Sequence, residues 1–220
     1  MPPLLLCPRC RGRLRPLRPT AHCRTCARGL PDGMRAESCV GCRIEPPPFE
    51  RLLAAWSYAP PLDRVIHGLK FARFEFLADD LVAAALAGEV LGAHGPWDLV
   101  VPVPLAPWRR LVRGFNQAEL IAAAVARQIR RPCRETLARR GFAPTPQALL
   151  GGRLRRQRMP GRLSLRRRAA VAGLRVLLVD DVLTTGATAE ACTRALLGAG
   201  ASAVDVATVA RVRHAADLTI

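Results

Sequence analysis

Val176-Leu177-Leu178-Val179-Asp180-Asp181-Val182-Leu183-Thr184-Thr185-Gly186-Ala187-Thr188 is the stretch that decides how the rest of the chain is interpreted. Its apolar beginning, 176–179, is typical of a strand buried on both faces. Two carboxylates follow the strand, and then a threonine-rich loop with one glycine. Residues 189–197 are good helix formers and predict a helix directly after the loop. The region therefore predicts a strand, a loop and a helix in that order.

The loop 184–188 predicts a phosphate site, because free backbone N–H groups and the positive end of a helix dipole meet there. Gly186 allows a ligand to approach the backbone closely, and the threonine hydroxyls add donors. Asp180 and Asp181 cannot bind a phosphate, so we expect them to face ribose hydroxyls or a hydrated divalent cation. In the simpler alternative, the acids are only solvated and the loop only caps the helix.

Composition limits the classes of protein to be considered. The 220 residues suffice for one α/β domain with a small appendage. The 34 basic and 17 acidic residues give a net charge of +17, which favours a polyanionic partner or an adventitious basic surface. No apolar run is long enough for a membrane span, and residues 1–6 are too short for a secretory signal. A cytoplasmic protein is predicted.

Three Cys-x-x-Cys pairs mark the amino-terminal segment, residues 1–44. Two such pairs can hold one structural Zn²⁺, and a segment this short needs a metal to organise it. The sequence leaves open which two pairs bind it. Cys133 and Cys192 stand apart and are expected to be buried. The paired cysteines, and therefore the predicted metal ligands, are Cys7, Cys10, Cys23, Cys26, Cys39 and Cys42.

Residues 45–48, Glu-Pro-Pro-Pro, predict a stiff linker to a second domain at 49–220. There, apolar runs alternate with segments of helical periodicity, which indicates a mostly parallel sheet with flanking helices. Ligands of such sheets gather beyond the carboxyl ends of the strands, where 180–188 would lie. Beside 176–179, the predicted strands are 51–58, 98–103 and 203–210, and the predicted helices are 61–71, 75–91 and 116–129.

A second segment with anion-binding character follows the strand at 98–103. Val103 and Pro104 stiffen a turn, and Arg113 precedes Gly114 in a hinge-like stretch before a helix. This combination predicts a second anion site with a lid. Alternatively, the prolines only shape a turn and the arginine only faces solvent.

Asp180-Asp181 with Thr184–Thr188 resembles the phosphoribosyl pyrophosphate (PRPP) signature of type I phosphoribosyltransferases. The order of motifs along nearly the whole chain resembles the ComF/GntX family, in which a zinc-binding segment precedes a phosphoribosyltransferase-like domain. The resemblance implies a type I phosphoribosyltransferase fold and a link to the uptake or use of DNA. The other motifs that carry it are Tyr58-Ala59-Pro60-Pro61, Ile66–Phe71, Val101–Pro104, Arg113–Gln117 and Thr145-Pro146-Gln147.

The resemblance also implies roles for individual residues in a phosphoribosyltransferase. Asp180 and Asp181 would hold the ribose 2- and 3-hydroxyls, and the loop from Thr184 through Thr185, Gly186 and Ala187 to Thr188 would clamp the 5-phosphate. Mg²⁺ would accompany PRPP. The turn at Val103 and Pro104, with Lys70 or Arg113, would receive the charge that develops on pyrophosphate. No motif names the acceptor.

A second hypothesis is a non-catalytic module that binds single-stranded DNA on the same fold. Arginines of 153–168 and the cysteine segment would contact phosphates, and the candidates for base stacking are Trp56, Tyr58, Trp97 and Trp108. A third hypothesis is a zinc-organised adaptor for a protein partner, for example in the competence machinery.

Overall fold

The structure is a computed structural model that describes residues 7–17, 22–30, 38–71, 77–87, 95–139, 163–166 and 171–212. Its helices and strands, in chain order, are α1 (Pro8–Arg11), α2 (Val40–Ile44), β1 (Leu52–Ser57), α3 (Leu62–Phe71), α4 (Leu77–Ala87), β2 (Leu99–Pro102), α5 (Pro107–Arg113), α6 (Gln117–Ile129), β3 (Leu137–Arg139), β4 (Leu163–Leu165), β5 (Arg175–Leu183), α7 (Ala187–Leu197) and β6 (Ala203–Arg211).

Four strands form a parallel sheet in the order β1-β6-β5-β2. β5 and β6 are the central strands and pair from Arg175 opposite Ala203 to Leu183 opposite Arg211. Every residue of β6 is buried. Central strands of a covered parallel sheet contact protein on both faces, which explains their continuous apolar runs. The predicted mostly parallel sheet with flanking helices is confirmed.

The side chains of β5 alternate between two hydrophobic layers. Leu177 and Val179 pack on one face with residues of α3, α4 and α6. Val176 and Leu178 pack on the other face with residues of α7 and with Leu17 of the amino-terminal segment. Because both faces are covered, a ligand can reach the sheet only at the ends of its strands.

The amino-terminal segment lies along the outer edge of β1. The Ser57 N–H donates to the Arg15 carbonyl at 2.9 Å, and the Leu17 N–H donates to the Ala55 carbonyl at 3.0 Å. Farther along, the Leu52 N–H donates to the Thr25 carbonyl at 2.9 Å. These bonds cover an edge that would otherwise present unpaired backbone groups. The boundaries at 44 and 49 remain predictions.

Several details differ from what the sequence indicates. β5 does not end before the acids, because its pairing with β6 continues through Asp180 to Leu183. α7 begins at Ala187 rather than 189, directly after Gly186. The short helix α5 and the antiparallel pair β3–β4 were not predicted. Within the described ranges, no helix has both the length and the apolar character needed to cross a bilayer.

Candidate functional site

A pocket of about 340 Å³ opens at the carboxyl ends of β2 and β5. The acids of β5 and the loop before α7 form one wall. The turn after β2, helix α5 and the start of α6 form the opposite wall, and Lys70 of α3 also lines the pocket. Strand ends and helix starts meet at this position, which is the usual ligand position of open parallel sheets.

Most predicted site residues lie together in this pocket. Gly186 and Ala187 shape the loop without lining the pocket, and Ala187 is buried. Sequence reasoning missed four lining residues, although two of them belong to the quoted motif 113–117. The predicted lining residues are Lys70, Val103, Pro104, Arg113, Asp180, Asp181, Thr184, Thr185 and Thr188, and the missed ones are Leu105, Arg109, Asn116 and Gln117.

The two acids of β5 have different surroundings. Asp181 is buried and forms an ion pair with Lys70, whose Nζ lies 2.6 Å from Asp181 Oδ2. The Oδ1 of Asp181 accepts the Val182 N–H at 2.7 Å. Asp180 Oδ1 accepts the Asp181 N–H at 2.9 Å. Lys70 therefore holds one carboxylate in place by an ion pair, and backbone N–H groups orient both.

The pKa of Asp180 is raised well above its ordinary value. Protein atoms around the side chain disfavour its charged form, and the adjacent charge of Asp181 adds to this effect. Asp180 is nevertheless only partly buried, since it lines the pocket. A bound cation or a hydroxyl that donates a hydrogen bond would favour the ionised form of Asp180.

The loop between β5 and α7 has the backbone form that the sequence predicts. Gly186 has φ +84° and is the N-cap residue of α7. The Ala187 N–H donates to Thr185 Oγ1 at 3.4 Å, and the Glu190 N–H donates to the Gly186 carbonyl at 2.9 Å. The left-handed turn places Thr184, Thr185 and Thr188 at the pocket beside the start of α7, an arrangement that suits a phosphate.

Two guanidinium groups of α5 lie on the opposite wall. Burial lowers the pKa of Arg113, and the positive charge of Arg109 lowers it further. Arg113 Nη1 donates to Gln117 Oε1 at 3.2 Å. Two cations held near each other in a partly buried wall are stabilised by an anion between or beside them. This wall is therefore suited to a second negatively charged group.

Asn116 fixes that wall to the sheet. Its side chain is buried, caps α6 by accepting the Ala118 N–H at 3.1 Å, and donates to the Val103 carbonyl at 3.0 Å. Gly114, with φ +83°, ends α5 and allows the chain to turn toward Asn116. The proline turn at Val103 and the arginine helix are thus held as one unit.

The Sγ atoms of Cys23, Cys26, Cys39 and Cys42 form a separate cluster in which all lie within 4.8 Å of one another. Cys26 Sγ and Cys39 Sγ are 3.7 Å apart. A tetrahedral Zn²⁺ with bonds of about 2.3 Å would place sulfurs roughly 3.8 Å apart, so the cluster fits a structural zinc ion. Of the three possible pairings, the structure brings together the second and third pairs.

Hydrogen bonds among these thiols favour a negative charge on one of them. The Cys26 thiol lowers the pKa of Cys23 to about 4, while the same bond raises the pKa of Cys26. Burial raises the pKa of Cys42 to about 12. Zinc binding would therefore have to release protons from the remaining thiols.

The other cysteines lie outside the cluster. Cys7 and Cys10 are not part of it. Cys192 is fully buried, as expected, but Cys133 is exposed, so the prediction that it is buried was wrong. Cys133 lies on a bridge beside β2 at the edge of the sheet, where neighbouring side chains do not enclose it.

Residues 115–218, which include β5, α7, β6 and the loop 184–188, match the family described as the Phosphoribosyl transferase domain. The chain is 36% identical over 183 residues to "DNA utilization protein YhgH" of Escherichia coli (strain K12), covering 81% of this chain and 79% of that protein. It is 28% identical over 212 residues to "Competence protein F" of Haemophilus influenzae, and the match covers 94% of this chain and 90% of that protein. The chain therefore belongs to the ComF/GntX family, as the motifs predict.

Solved structures resemble the chain less closely. One described as the allosteric regulatory enzyme of purine biosynthesis is 25% identical, with 60% of this chain and 25% of that chain covered and a TM-score of 0.41. An adenine phosphoribosyltransferase is 18% identical, the match covers 66% of this chain and 83% of that chain, and the TM-score is 0.38. With TM-scores below 0.5, neither similarity carries an argument, and the family assignment depends on the sequence relatives.

Proposed function

We propose that the pocket binds PRPP or a related ribose phosphate, and that the protein is a phosphoribosyltransferase-like member of a DNA-utilisation system. The observation that carries the proposal is the convergence of three features around one cavity. These are the acid pair Asp180–Asp181, the loop 184–188, and the arginine wall of Arg109 and Arg113. The carboxylates suit the ribose hydroxyls, the loop suits the 5-phosphate, and the arginines suit the pyrophosphate group.

Mg²⁺ fits this proposal as a companion of the ligand. Carboxylate oxygens and water are its preferred ligands, and it binds readily through phosphate oxygens. Asp180 and Asp181 would hold it through water while Lys70 keeps Asp181 in place. The metal would supply charge neutralisation for the leaving pyrophosphate.

In a phosphoribosyl transfer, the bond between ribose C1 and the pyrophosphate oxygen breaks and a nucleophile bonds to C1. The residues of this chain would act by positioning and by charge. Asp180 and Asp181 would orient the ribose, and Arg109, Arg113 and Lys70 would stabilise the charge that develops on pyrophosphate. Screening acceptors for pyrophosphate release, with and without single-stranded DNA, tests whether transfer occurs.

Calorimetry with two ligands tests the binding site. The double variant with Asp180→Asn and Asp181→Asn should keep its fold but should not bind PRPP. Arg113→Gln should weaken PRPP by tenfold or more, because a charge-assisted hydrogen bond contributes about 1.5–3 kcal/mol, but should leave ribose 5-phosphate nearly unchanged.

Arg175→Gln is the matched control, because Arg175 lies at the opposite end of β5 and pairs with Glu50. Unchanged PRPP affinity in the variant with Asp180→Asn and Asp181→Asn would contradict the assignment of the pocket as a PRPP site. Equal losses for PRPP and ribose 5-phosphate in Arg113→Gln would reject the arginine wall as the pyrophosphate subsite.

The charge of +17 favours single-stranded DNA as a second ligand. The structure narrows the candidates for base stacking, because Trp56 and Trp97 are buried in the core. Tyr58 is 37% exposed, and Trp108 is partly exposed beside Arg109. Of the arginine-rich stretch 153–168, only 163–166 lies in the described ranges.

Fluorescence anisotropy at several salt concentrations tests DNA binding. Binding through phosphate contacts should weaken steeply and linearly with the logarithm of salt concentration. A flat response would show that the basic surface is adventitious. A protein partner of the competence machinery and a cytoplasmic location, where thiols stay reduced, belong to the same proposal.

A further inference from the structure

Cys7 and Cys10 form a thiol pair on the surface that the zinc-type cluster leaves unused. Cys7 is exposed and Cys10 is partly exposed. In the part of the chain that the structure describes, no third histidine, cysteine or carboxylate joins them as a possible metal ligand. Two thiols can supply half of the four ligands of a structural zinc site.

Its local geometry matches that of the first pair in the cluster. Cys7 Sγ accepts backbone N–H groups from Arg9 and Cys10, the latter at 3.4 Å. Cys23 Sγ accepts the corresponding N–H groups, from Thr25 and Cys26. In both pairs the first sulfur is thus held by the second and third residues after it. The two pairs therefore share these N–H contacts to the first sulfur, but Cys23 is buried in the cluster, whereas Cys7 is exposed.

The turn is preorganised by the chain that follows it. The Arg11 N–H donates to the Cys7 carbonyl at 2.9 Å, and the Leu14 N–H donates to the Arg11 carbonyl at 3.1 Å. Residues 15–17 are then bonded to β1 at the edge of the sheet. The pair therefore stands on an anchored segment.

No other thiol of the same chain is placed to complete the site. Cys23, Cys26, Cys39 and Cys42 already face one another, and Cys192 is 0% exposed in the core. Cys133 lies beside β2, while the amino-terminal segment lies beside β1. Five strand spacings of about 4.8 Å separate those two positions across the sheet.

We propose that Cys7 and Cys10 form an exposed half-site for Zn²⁺ that is completed by the same pair of a second copy of the chain. Two half-sites related by a two-fold axis supply four sulfurs, which is the closed tetrahedral set of a structural zinc ion. Each of the four thiols loses its proton when the metal binds. Arg9 and Arg13 lie close enough to Cys10 to offset the charge of the four thiolates.

Zinc content and molecular mass test the proposal in an oxygen-free reducing buffer with Zn²⁺ as the only added metal. The protein should bind about half a zinc ion per chain more than the variant with Cys7→Ser and Cys10→Ser. Light scattering should show a dimer for the native protein and a monomer for that variant. Cys133→Ser removes an exposed thiol elsewhere and should behave like the native protein.

The difference in zinc content does not depend on how fully the four-cysteine cluster is occupied, nor on the ligand of the pocket. Equal zinc content in the native protein and the double variant would overturn the proposal. A monomer that holds one extra zinc ion per chain would also overturn it, because the site would then be completed within one chain. So would a dimer that persists in the double variant.

Discussion

At the scale of single residues, the acid pair shows how neighbours on one strand acquire different electrostatic environments. Asp181 is buried and has Lys70 at 2.6 Å. Asp180 has a raised pKa, caused first by burial and then by the charge of Asp181. A binding site of this kind lowers the stability of the fold, because its charged groups are partly buried before a ligand binds them.

We expect Asp180→Asn to stabilise the protein at pH 7 by roughly 1 kcal/mol while abolishing PRPP binding. Below the ordinary aspartate pKa of about 3.9, folded and unfolded chains both hold the proton, and Asp180 does not affect stability. As the pH rises, the unfolded chain loses this proton first, so the native protein loses stability that the variant keeps.

Chemical denaturation of both proteins between pH 4 and pH 7 measures this effect. The two free energies of unfolding should diverge as the pH rises. If the two free energies of unfolding differed by the same amount at every pH, the raised pKa of Asp180 would be contradicted. A variant that became less stable than the native protein as the pH rose would show that the pKa of Asp180 is lowered.

At the scale of elements, the connection from β5 to α7 is a short turn whose shape depends on one glycine. Gly186 has φ +84°, a conformation that L side chains rarely adopt. A Cβ there would meet only Glu190 Oε1, at 3.5 Å, which is ordinary contact. A side chain at this position therefore strains the backbone without clashing.

Gly186→Ala should cost about 1–2 kcal/mol of stability and weaken the binding of ribose 5-phosphate, because relief of the strain moves the loop. Gly173→Ala is the matched control. Gly173 has φ +73°, and a Cβ added there would have no atom within 4 Å. It lies just before the amino end of β5, away from the pocket.

Thermal denaturation and calorimetry separate the two effects. Both variants should lose similar stability, but only Gly186→Ala should lose affinity for ribose 5-phosphate. Equal affinities in the two variants would show that the loop does not hold the phosphate.

At the scale of the whole molecule, the cysteine segment is joined to the parallel sheet by hydrogen bonds to its backbone carbonyls. Arg211 Nε, at the end of β6, donates to the Cys26 carbonyl at 2.7 Å. Arg211 lies opposite Leu183, the residue just before the loop 184–188. The four-cysteine cluster is thus linked by two contacts to the end of β5 that carries the pocket.

Removal of zinc should expose the edge of β1. In hydrogen exchange, the amides of Leu52 and Ser57 should exchange at least about tenfold faster after chelation, since their acceptors are the Thr25 and Arg15 carbonyls. Amides of Leu177 and Val179, in the central strand, should stay protected. Cys42→Ser should reproduce the effect, and Cys133→Ser should not. Unchanged exchange at Leu52 after chelation would show that the cluster does not hold the segment on the sheet.

Local patterns predicted the parts of the site that lie close together in sequence. Residues 176–188 combine a buried strand, two acids and a helix-start loop, and each feature has its own local signal. Arg109 and Gln117 were not predicted as site residues, because their places in the pocket depend on where α5 and α6 lie relative to the end of β5. The limits of β5 also escaped prediction, since pairing with β6 extends the strand through polar residues.

By itself, the sequence determined the class of fold, the acid–threonine motif and the cysteine pairs with the spacing of metal ligands, because these depend on residue type and short spacing. Only the tertiary structure decided which four cysteines converge, that Lys70 pairs with Asp181, and that Arg109 and Arg113 line the same pocket as the loop 184–188. These are contacts between distant parts of the chain. They are set by the stacking of helices on a sheet, and no spacing along the sequence encodes that arrangement.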